Sequence, residues 1–186
     1  DVSRESAELY LQGNWQQNHT QLLAGARIQN DSDFGWHTAF KASASQSFNA
    51  ENTSWQLRAG VGSSYRVPNL KERYYVFDHS NLGYMVLGND ALTPETALNA
   101  NVGTNLRLTP TKSDWLYQVD INLHYTKADD FITTAVDVDA SQDAGLDISV
   151  YQNLDEATLY GADLSASAQD DNWQWQLNYS YLVSED

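Results

Sequence analysis

The chain has 186 residues, enough for one domain, and its 25 acidic residues against 10 Lys and Arg give a formal net charge of −15. This balance excludes a basic face for nucleic acid, and the absence of cysteine excludes disulfides and thiolate zinc sites. The sequence contains no run of about 18 apolar residues, so no membrane-spanning helix is predicted. Six Trp and eleven Tyr in a chain of mean hydropathy −0.54 indicate a β protein with one apolar face, or a membrane barrel with a polar lumen.

Alternating polarity predicts four strands in the first third of the chain. In the first, Leu9, Leu11 and Trp15 share one face while polar side chains occupy the other. The four predicted strands cover residues 7–16, 21–29, 36–48 and 55–66. Short polar turns separate them, and each strand repeats the same division into an apolar and a polar face.

A long segment, residues 66–95, then interrupts the alternation before four more strands are predicted. These strands cover residues 98–108, 115–125, 160–167 and 173–181. A second long segment, acidic and placed at 127–156, separates the sixth and seventh strands. Because long ordered loops on rigid β scaffolds usually carry function, both segments are candidates for the binding surface.

The distribution of charge favours a membrane barrel over a soluble β-sandwich. Every predicted strand charge lies on the polar face; these residues are Glu8, Arg27, Lys41, Arg58, Arg107, Asp120 and Asp163. A charge on a lipid-facing surface costs about 2–4 kcal/mol at the midplane, whereas a soluble sheet tolerates charges at the rim of its apolar face. We therefore expect hydrocarbon to cover the apolar face.

The aromatic residues and the loop lengths favour the same interpretation. If strands run alternately up and down, one rim carries Trp15, Trp55, Trp115 and Trp173, and the other carries Tyr65, Tyr125 and Tyr181. About ten residues between the rims, tilted by about 40°, rise roughly 25 Å, the height of an outer-membrane apolar band. All odd-numbered strands are followed by short turns, whereas long excursions follow the fourth and sixth; the short turn after the second strand is the exception. The predicted fold is all-β, with antiparallel up-and-down strands forming part of a transmembrane outer-membrane β-barrel.

Two short motifs bracket the first long loop: Tyr65-Arg66-Val67-Pro68 and the run from Gly88 through Asn89 to Pro94-Glu95. They resemble the Phe/Tyr-Arg-Ala-Pro and Gly-Asn-Pro-x-Leu-x-Pro-Glu boxes of TonB-dependent outer-membrane receptors. Tyr151-Gln152-Asn153 with Tyr160-Gly161-Ala162-Asp163 is also similar to a stretch of that family. Val67 replaces the family's Ala, and Asp90-Ala91 stands where the family places a proline, so this turn is expected to be less rigid.

The resemblance implies that residues 1–186 are part of a barrel of roughly 22 strands in the outer membrane of a Gram-negative bacterium. The plug domain, its contact with a TonB-type energy-transducing protein and the closing strand are expected outside this chain. The motif residues Arg66, Pro68, Asn89, Pro94 and Glu95 are then structural. We expect the Arg66 guanidinium to bind Glu95 or nearby carbonyls and pin the two ends of the loop together.

In the haem-transporting branch of this family, a histidine between the two boxes ligates haem iron, and His79 occupies that interval here. The resemblance therefore favours uptake of an iron chelate, with haem as the preferred ligand and His79 as its iron ligand. Tyr74, Tyr75, Phe77 and Tyr84 are the candidates for covering a porphyrin face. A siderophore or cobalamin receptor of the same family is the alternative, and so is a soluble β-sheet module for binding or adhesion.

Other chemistry is sparse in the sequence. His19, His37 and His124 have no partner at metal-ligand spacing and are interpreted as turn or lumen residues. The acidic segment does not match the spacing of an EF-hand loop and is interpreted as a solvated external loop. No nucleophile–base pair or phosphate-binding glycine loop is present, so no enzyme and no intrinsic cofactor is predicted. Haem or a ferric chelate is the transported ligand, and outer-membrane lipid is the surrounding partner.

Overall fold

One continuous ten-stranded sheet contains almost all of the chain in the computed structural model, which describes residues 3–185. The strands are β1 (Ser6–Gln17), β2 (Thr20–Asp31), β3 (Gly35–Ala50), β4 (Thr53–Arg66), β5 (Val76–His79), β6 (Tyr84–Leu87), β7 (Glu95–Leu108), β8 (Leu116–Val136), β9 (Asp147–Gln169) and β10 (Gln174–Glu185). The helices are α1 (Leu70–Tyr74), a 3₁₀ turn (Ser80–Leu82) and α2 (Val138–Ala144). None of these helices is long and apolar enough to cross a membrane.

Eight long strands, β1 to β4 and β7 to β10, form an antiparallel meander in which each strand pairs with the next long strand along the chain. The pairings join apolar residues to apolar residues across the sheet: Val61 lies opposite Ala42 and Ala100, and Ala100 lies opposite Tyr125. This register keeps the alternation in phase from strand to strand. The prediction of antiparallel up-and-down strands is confirmed, and all eight predicted strands are present.

The sheet has no second layer over its apolar face within the described residues. The side chains of Leu11, Val61 and Ile121 are 77%, 42% and 39% exposed. The few buried apolar residues all lie towards the end of the sheet where the long loops are; they are Tyr65, Leu92, Ala128, Ile132, Ile148 and Ala157. The soluble sandwich considered from the sequence would instead bury this face within the chain.

Tyr65 does not lie on the apolar rim where the alternation predicted it. Its hydroxyl donates to Gln29 at 2.7 Å, its ring stacks on His37 at 5.0 Å, and the Arg27 guanidinium lies 4.7 Å from the ring centroid. All three partners were predicted on the polar face. The cause is that β3 and β4 stop pairing after Lys41 and Gly62, so the end of β4 leaves β3 and Tyr65 fills the gap.

The acidic segment predicted as a loop at 127–156 is largely a hairpin. Strands β8 and β9 continue their pairing up to Val136 opposite Ser149, and only α2 and its flanking residues connect them. The alternating β-branched residues Ile132, Thr134 and Val136 favour a strand here. Acidic residues obscured this signal because they occur both in the paired strands, as at Asp129 opposite Glu156, and at the tip, where Asp137 caps α2 by accepting from the Ala140 N–H at 3.0 Å.

The first long loop also contains regular structure that the sequence did not predict. Strands β5 and β6 form a short hairpin, and β6 pairs in parallel with the start of β9, with Met85 opposite Ile148. This parallel pairing joins segments about sixty residues apart, so no local pattern indicates it. The hairpin pairs with the first residues of β9, which precede the part of β9 that pairs with β10.

We predict that Val102→Lys and Asn101→Lys have very different costs, because these neighbours lie on opposite faces of β7 and both are exposed. With lipid against the apolar face, Val102→Lys should lower the free energy of unfolding by about 2–4 kcal/mol, and Asn101→Lys by less than about 1 kcal/mol. Urea unfolding of the protein refolded into phospholipid bilayers measures both. Equal, small costs would mean that water covers the Val102 side.

Candidate functional site

The segment after β4 is organised by a well-capped short helix. Pro68 is fully buried, and the Asn69 side chain accepts from the backbone N–H groups of Lys71 and Glu72, each at 2.9 Å. The Glu72 carboxylate accepts in return from the Asn69 N–H at 2.8 Å, which completes a capping box. These contacts make a five-residue helix form where helix propensity alone would not.

Arg66 joins this helix to two strands. Its Nε and Nη2 donate to the two oxygens of Glu95 at 2.6 and 2.9 Å, and its Nη1 donates to Glu72 at 2.8 and 2.9 Å. Glu95 Oε1 also accepts the backbone N–H of Ile132 at 2.7 Å. We call Arg66, Glu72 and Glu95 the loop clip, because together they connect the end of β4, α1, β7 and β8. The contact between Arg66 and Glu95 expected from the sequence is therefore present.

Electrostatics favours the charged forms within the loop clip. Hydrogen bonding to Glu95 is the main cause that raises the pKa of Arg66 further above its ordinary value. Partial burial pushes the pKa of Glu95 upward, but the hydrogen bonds from Arg66 and the Ile132 N–H outweigh it and hold that pKa below its usual range. Both side chains therefore remain ionised at neutral pH.

The second motif closes the loop by close backbone approach. A Cβ at Gly88 would lie 2.7 Å from the carbonyl carbon of Arg73, so only glycine fits against the end of α1. Asn89 accepts the Ala91 N–H at 3.0 Å and donates to the Tyr151 carbonyl at 2.9 Å. Leu92 is buried, and Pro94 is half-buried beside it. The missing family proline is thus replaced by an Asn89 turn anchored on β9.

Asn153 on β9 completes the closure, although it was not among the candidate site residues. Its side chain accepts the Thr93 N–H at 2.9 Å and donates to the carbonyls of Thr93 and Asp130, at 3.0 Å and 2.6 Å. Asp130 has a positive φ of 56°, a backbone conformation rare outside glycine. The family-like stretch around Asn153 was the only signal in the sequence that could have indicated this contact.

The hairpin β5–β6 gathers four of the five aromatic or histidine candidates on one face. His79 lies opposite Tyr84, and their rings are stacked with centroids 5.2 Å apart. The ring centroid of Phe77 lies 4.1 Å from that of His79 and 6.2 Å from that of Tyr75. We call these four residues the aromatic ladder. His79 is half-buried, and its Nδ1 is buried without a hydrogen-bond partner in the described residues.

Tyr74 is not part of the aromatic ladder. Its ring lies 4.7 Å from the Arg73 guanidinium, which also covers Phe34 at 5.0 Å and forms an ion pair with Asp33. Tyr74 therefore packs towards the turn between β2 and β3. Tyr74 is the last residue of α1 and precedes β5, so the alternation that places Phe77 and His79 on one face of the hairpin does not extend to it.

A pocket of about 220 Å³ lies beside the aromatic ladder. Tyr75 and Phe77 of the aromatic ladder line it. The other lining residues, Lys71, Val86 and Tyr151, were not among the candidate site residues. The Lys71 ammonium lies 5.4 Å from the centroid of the Tyr75 ring. Three separate elements, α1, the hairpin and β9, are needed to form this pocket, which explains why no single motif indicated it.

Two further charged pairs join long strands of the sheet. Arg58 contacts Asp120 at 2.9 Å, and His124 lies 3.4 Å from Asp163. No group of three or more His, Asp or Glu side chains among residues 3–185 is placed to hold a metal ion.

Comparison with known proteins identifies the class of this chain. All of residues 1–186 match the family described as TonB dependent receptor-like, beta-barrel, and the chain belongs to that family. It is therefore part of a receptor barrel and not an enzyme, and the family resemblance seen in the sequence is confirmed. Membership also removes the alternative of a soluble binding or adhesion module.

Particular relatives give more detail. The ferric enterobactin receptor PirA of Pseudomonas aeruginosa is 26% identical over 195 residues, which cover 96% of this chain and 25% of the relative. The crystal structure of the siderophore receptor PirA from Pseudomonas aeruginosa shares the fold with a TM-score of 0.77 at 22% identity, covering 97% of this chain and 34% of that one. The Serratia marcescens hemophore receptor HasR, solved with its hemophore HasA and heme, has a TM-score of 0.78 at 16% identity, with coverage of 97% and 34%. The chain spans about a quarter of the length of the curated relatives it matches.

We predict that Arg66→Ala loosens the loop without preventing barrel formation. The change leaves Glu72 and Glu95 without their cation and should favour the open loop by about 1–2 kcal/mol, because the pairs are partly exposed. Limited proteolysis within residues 67–94 should accelerate about 5- to 30-fold. Arg107→Ala is the matched control, since Arg107 is exposed and forms no ion pair within the described residues. Equal cleavage rates in both variants would rule out the pinning role.

The lowered pKa of Glu95 predicts how the loop clip depends on pH. A group whose folded pKa is depressed stabilises the fold fully above its unfolded value, about 4.3 for Glu, and this stabilisation is lost as pH falls through the folded pKa. The Ile132 amide chemical shift should report this titration, because its N–H donates to Glu95. We expect Arg66→Ala to raise this midpoint relative to the wild type, because it removes the cation that lowers the pKa of Glu95. Equal midpoints in the two proteins would contradict the role of Arg66.

Proposed function

We propose that this chain forms part of the barrel wall and the external loops of a Gram-negative outer-membrane receptor that binds and imports a ferric siderophore. Lipid covers the apolar face, and a TonB-type protein supplies energy through a plug domain outside this chain. The proposed external loops lie at about 66–95 and 127–156. The observation that carries the proposal is the loop clip, which fixes an aromatic hairpin and its adjacent pocket at the end of the barrel wall.

Several features support this assignment. Rigid strands that hold ordered loops at one end are the usual scaffold for ligand recognition. Within the described residues, the connections at the opposite end have two to seven residues, such as 18–19 and 109–115. The curated relative named as a ferric enterobactin receptor aligns with 96% of this chain, including the loop segment. The aromatic ladder then provides a surface on which a chelate with aromatic groups can stack.

The full-length receptor tests the proposal through binding and uptake. Ferric enterobactin should quench the intrinsic fluorescence of the purified receptor in a saturable manner, and cells that express it should accumulate radioactive iron from this chelate. Uptake should stop when the TonB-type protein is deleted, while binding persists. If the receptor neither bound nor took up any ferric siderophore, the proposal would be refuted.

Haem is the second candidate, favoured by the partnerless Nδ1 of the half-buried His79. A neutral imidazole is a good axial ligand of haem iron. However, the rings of Phe77 and Tyr84, which would cover a porphyrin, pack against the imidazole of His79 instead. Their centroids lie 4.1 and 5.2 Å from the centroid of the imidazole. A haem iron would therefore have to approach the edge of His79 between these rings. Cobalamin, which the resemblance also leaves open, has no comparable observation in its favour.

A haemin titration separates the two ligands. If haem is the cargo, the wild-type receptor gives a shifted Soret band that His79→Ala abolishes, and the His124→Ala control keeps it. If a siderophore is the cargo, His79→Ala changes haemin spectra no more than the control does.

A further inference from the structure

We propose that the pocket between α1, the β5–β6 hairpin and β9 is a subsite for one catecholate ring of an iron(III)–catecholate chelate. This inference rests on the proposed siderophore function and specifies the chemical class of its ligand. The pocket residues are Lys71, Tyr75, Phe77, Val86 and Tyr151.

The size of the pocket selects a single ring. An apolar cavity of about 150 Å³ is large enough to hold benzene, and this pocket has a volume of about 220 Å³. A catechol ring with its two oxygens fits that space. Sites for whole drug-sized ligands occupy about 300–1,000 Å³, so a porphyrin or a complete chelate does not fit. The remainder of the chelate would therefore lie outside the pocket.

The lining matches the faces of an aromatic ring. Tyr75, Phe77 and Tyr151 provide three aromatic side chains, and Val86 provides an aliphatic floor opposite Phe77 in the hairpin. Aromatic pairs gain from offset or edge-to-face packing at centroid distances of about 4.5–7 Å. Hydroxamate and carboxylate chelates without rings would gain no such contact.

The charge at the pocket matches an anion. The nearby arginines are already neutralised: Arg66 pairs with Glu72 and Glu95, and Arg73 pairs with Asp33. Lys71 is exposed and forms no ion pair within residues 3–185. Its ammonium lies above the Tyr75 ring, at the edge of the pocket. A tris-catecholate complex of iron(III) carries three negative charges, which this free cation would attract despite the acidic chain.

The pocket walls are held in place before any ligand binds. The capping box fixes Lys71 in the first turn of α1. The Gly88 N–H donates to the Tyr75 carbonyl at 2.8 Å, which ties the end of the hairpin to α1. Asn89 Nδ2 donates to the Tyr151 carbonyl at 2.9 Å, which ties the closing motif to β9. Because these contacts are already made, little ordering cost remains for binding.

The test compares ligands and variants in the full-length receptor by fluorescence titration. Lys71→Gln should weaken ferric enterobactin binding by about tenfold, since it removes one charge-assisted contact. Lys71→Arg should retain most of the affinity, and Val86→Trp, which fills the pocket, should weaken binding by at least as much as Lys71→Gln. Lys112→Gln is the matched control, because Lys112 is exposed in the turn at the opposite end of the sheet. A ferric trihydroxamate should bind equally to the wild type and to both pocket variants.

The outcomes distinguish the subsite from the function. If the wild type binds ferric enterobactin and neither Lys71→Gln nor Val86→Trp weakens it, the subsite is wrong while the receptor function stands. An equal loss of trihydroxamate binding in Lys71→Gln would also overturn the subsite, since Lys71 would then act without a ring. If the wild type binds the trihydroxamate but no catecholate chelate, the ligand class is wrong. A wild type that binds no ferric chelate removes the proposed function itself. Unchanged protease resistance of residues 67–94 shows that each variant is folded.

Discussion

The apolar face of this sheet has no protein layer against it in the described part of the chain, and the other features of the structure depend on that constraint. Under the proposal that hydrocarbon covers this face, the sheet must satisfy its backbone hydrogen bonds internally, and the continuous pairing from β1 to β10 does so within the described residues. It must also keep charges off that face, which explains the placement of Arg58 beside Asp120 on the other side. The buried apolar residues consequently concentrate at the loop end, where protein covers protein.

At the loop end a different interaction takes over. A segment of about thirty residues between two strands would be costly to order if only its ends were fixed. The loop clip and the Asn89 and Asn153 contacts fix it at several points along its length instead. These anchors are mostly polar and partly exposed, so each contributes modestly. Their combined effect is to present the aromatic ladder and the pocket in one arrangement, which recognition of a specific ligand requires.

Sequence reasoning failed at particular residues for identifiable reasons. Tyr65 follows the apolar alternation of β4 but turns to the polar side, because the strand separates from β3 before reaching it. The strand extension of β8 and β9 was hidden by acidic residues, several of which, such as Asp129 and Glu156, lie in the paired strands themselves. No motif indicated that Lys71 and Tyr151 lie together, since they meet only after α1, the hairpin and β9 assemble. Periodicity describes one strand at a time and cannot show where neighbouring strands part.

The sequence by itself determined the eight long strands, their two faces, the receptor family and the motif residues that close the first loop. The strands and their faces follow from a period of two along each strand, and the roles of the motif residues follow from the fixed geometric uses of glycine, proline and charged side chains. The family followed from the resemblance of these motifs to those of TonB-dependent receptors. Tertiary structure alone decided the parallel pairing of β6 with β9, the packing of Phe77 and Tyr84 against His79, and the pocket beside Lys71. Those contacts join distant segments, and their geometry depends on how the whole sheet twists and where its strands end.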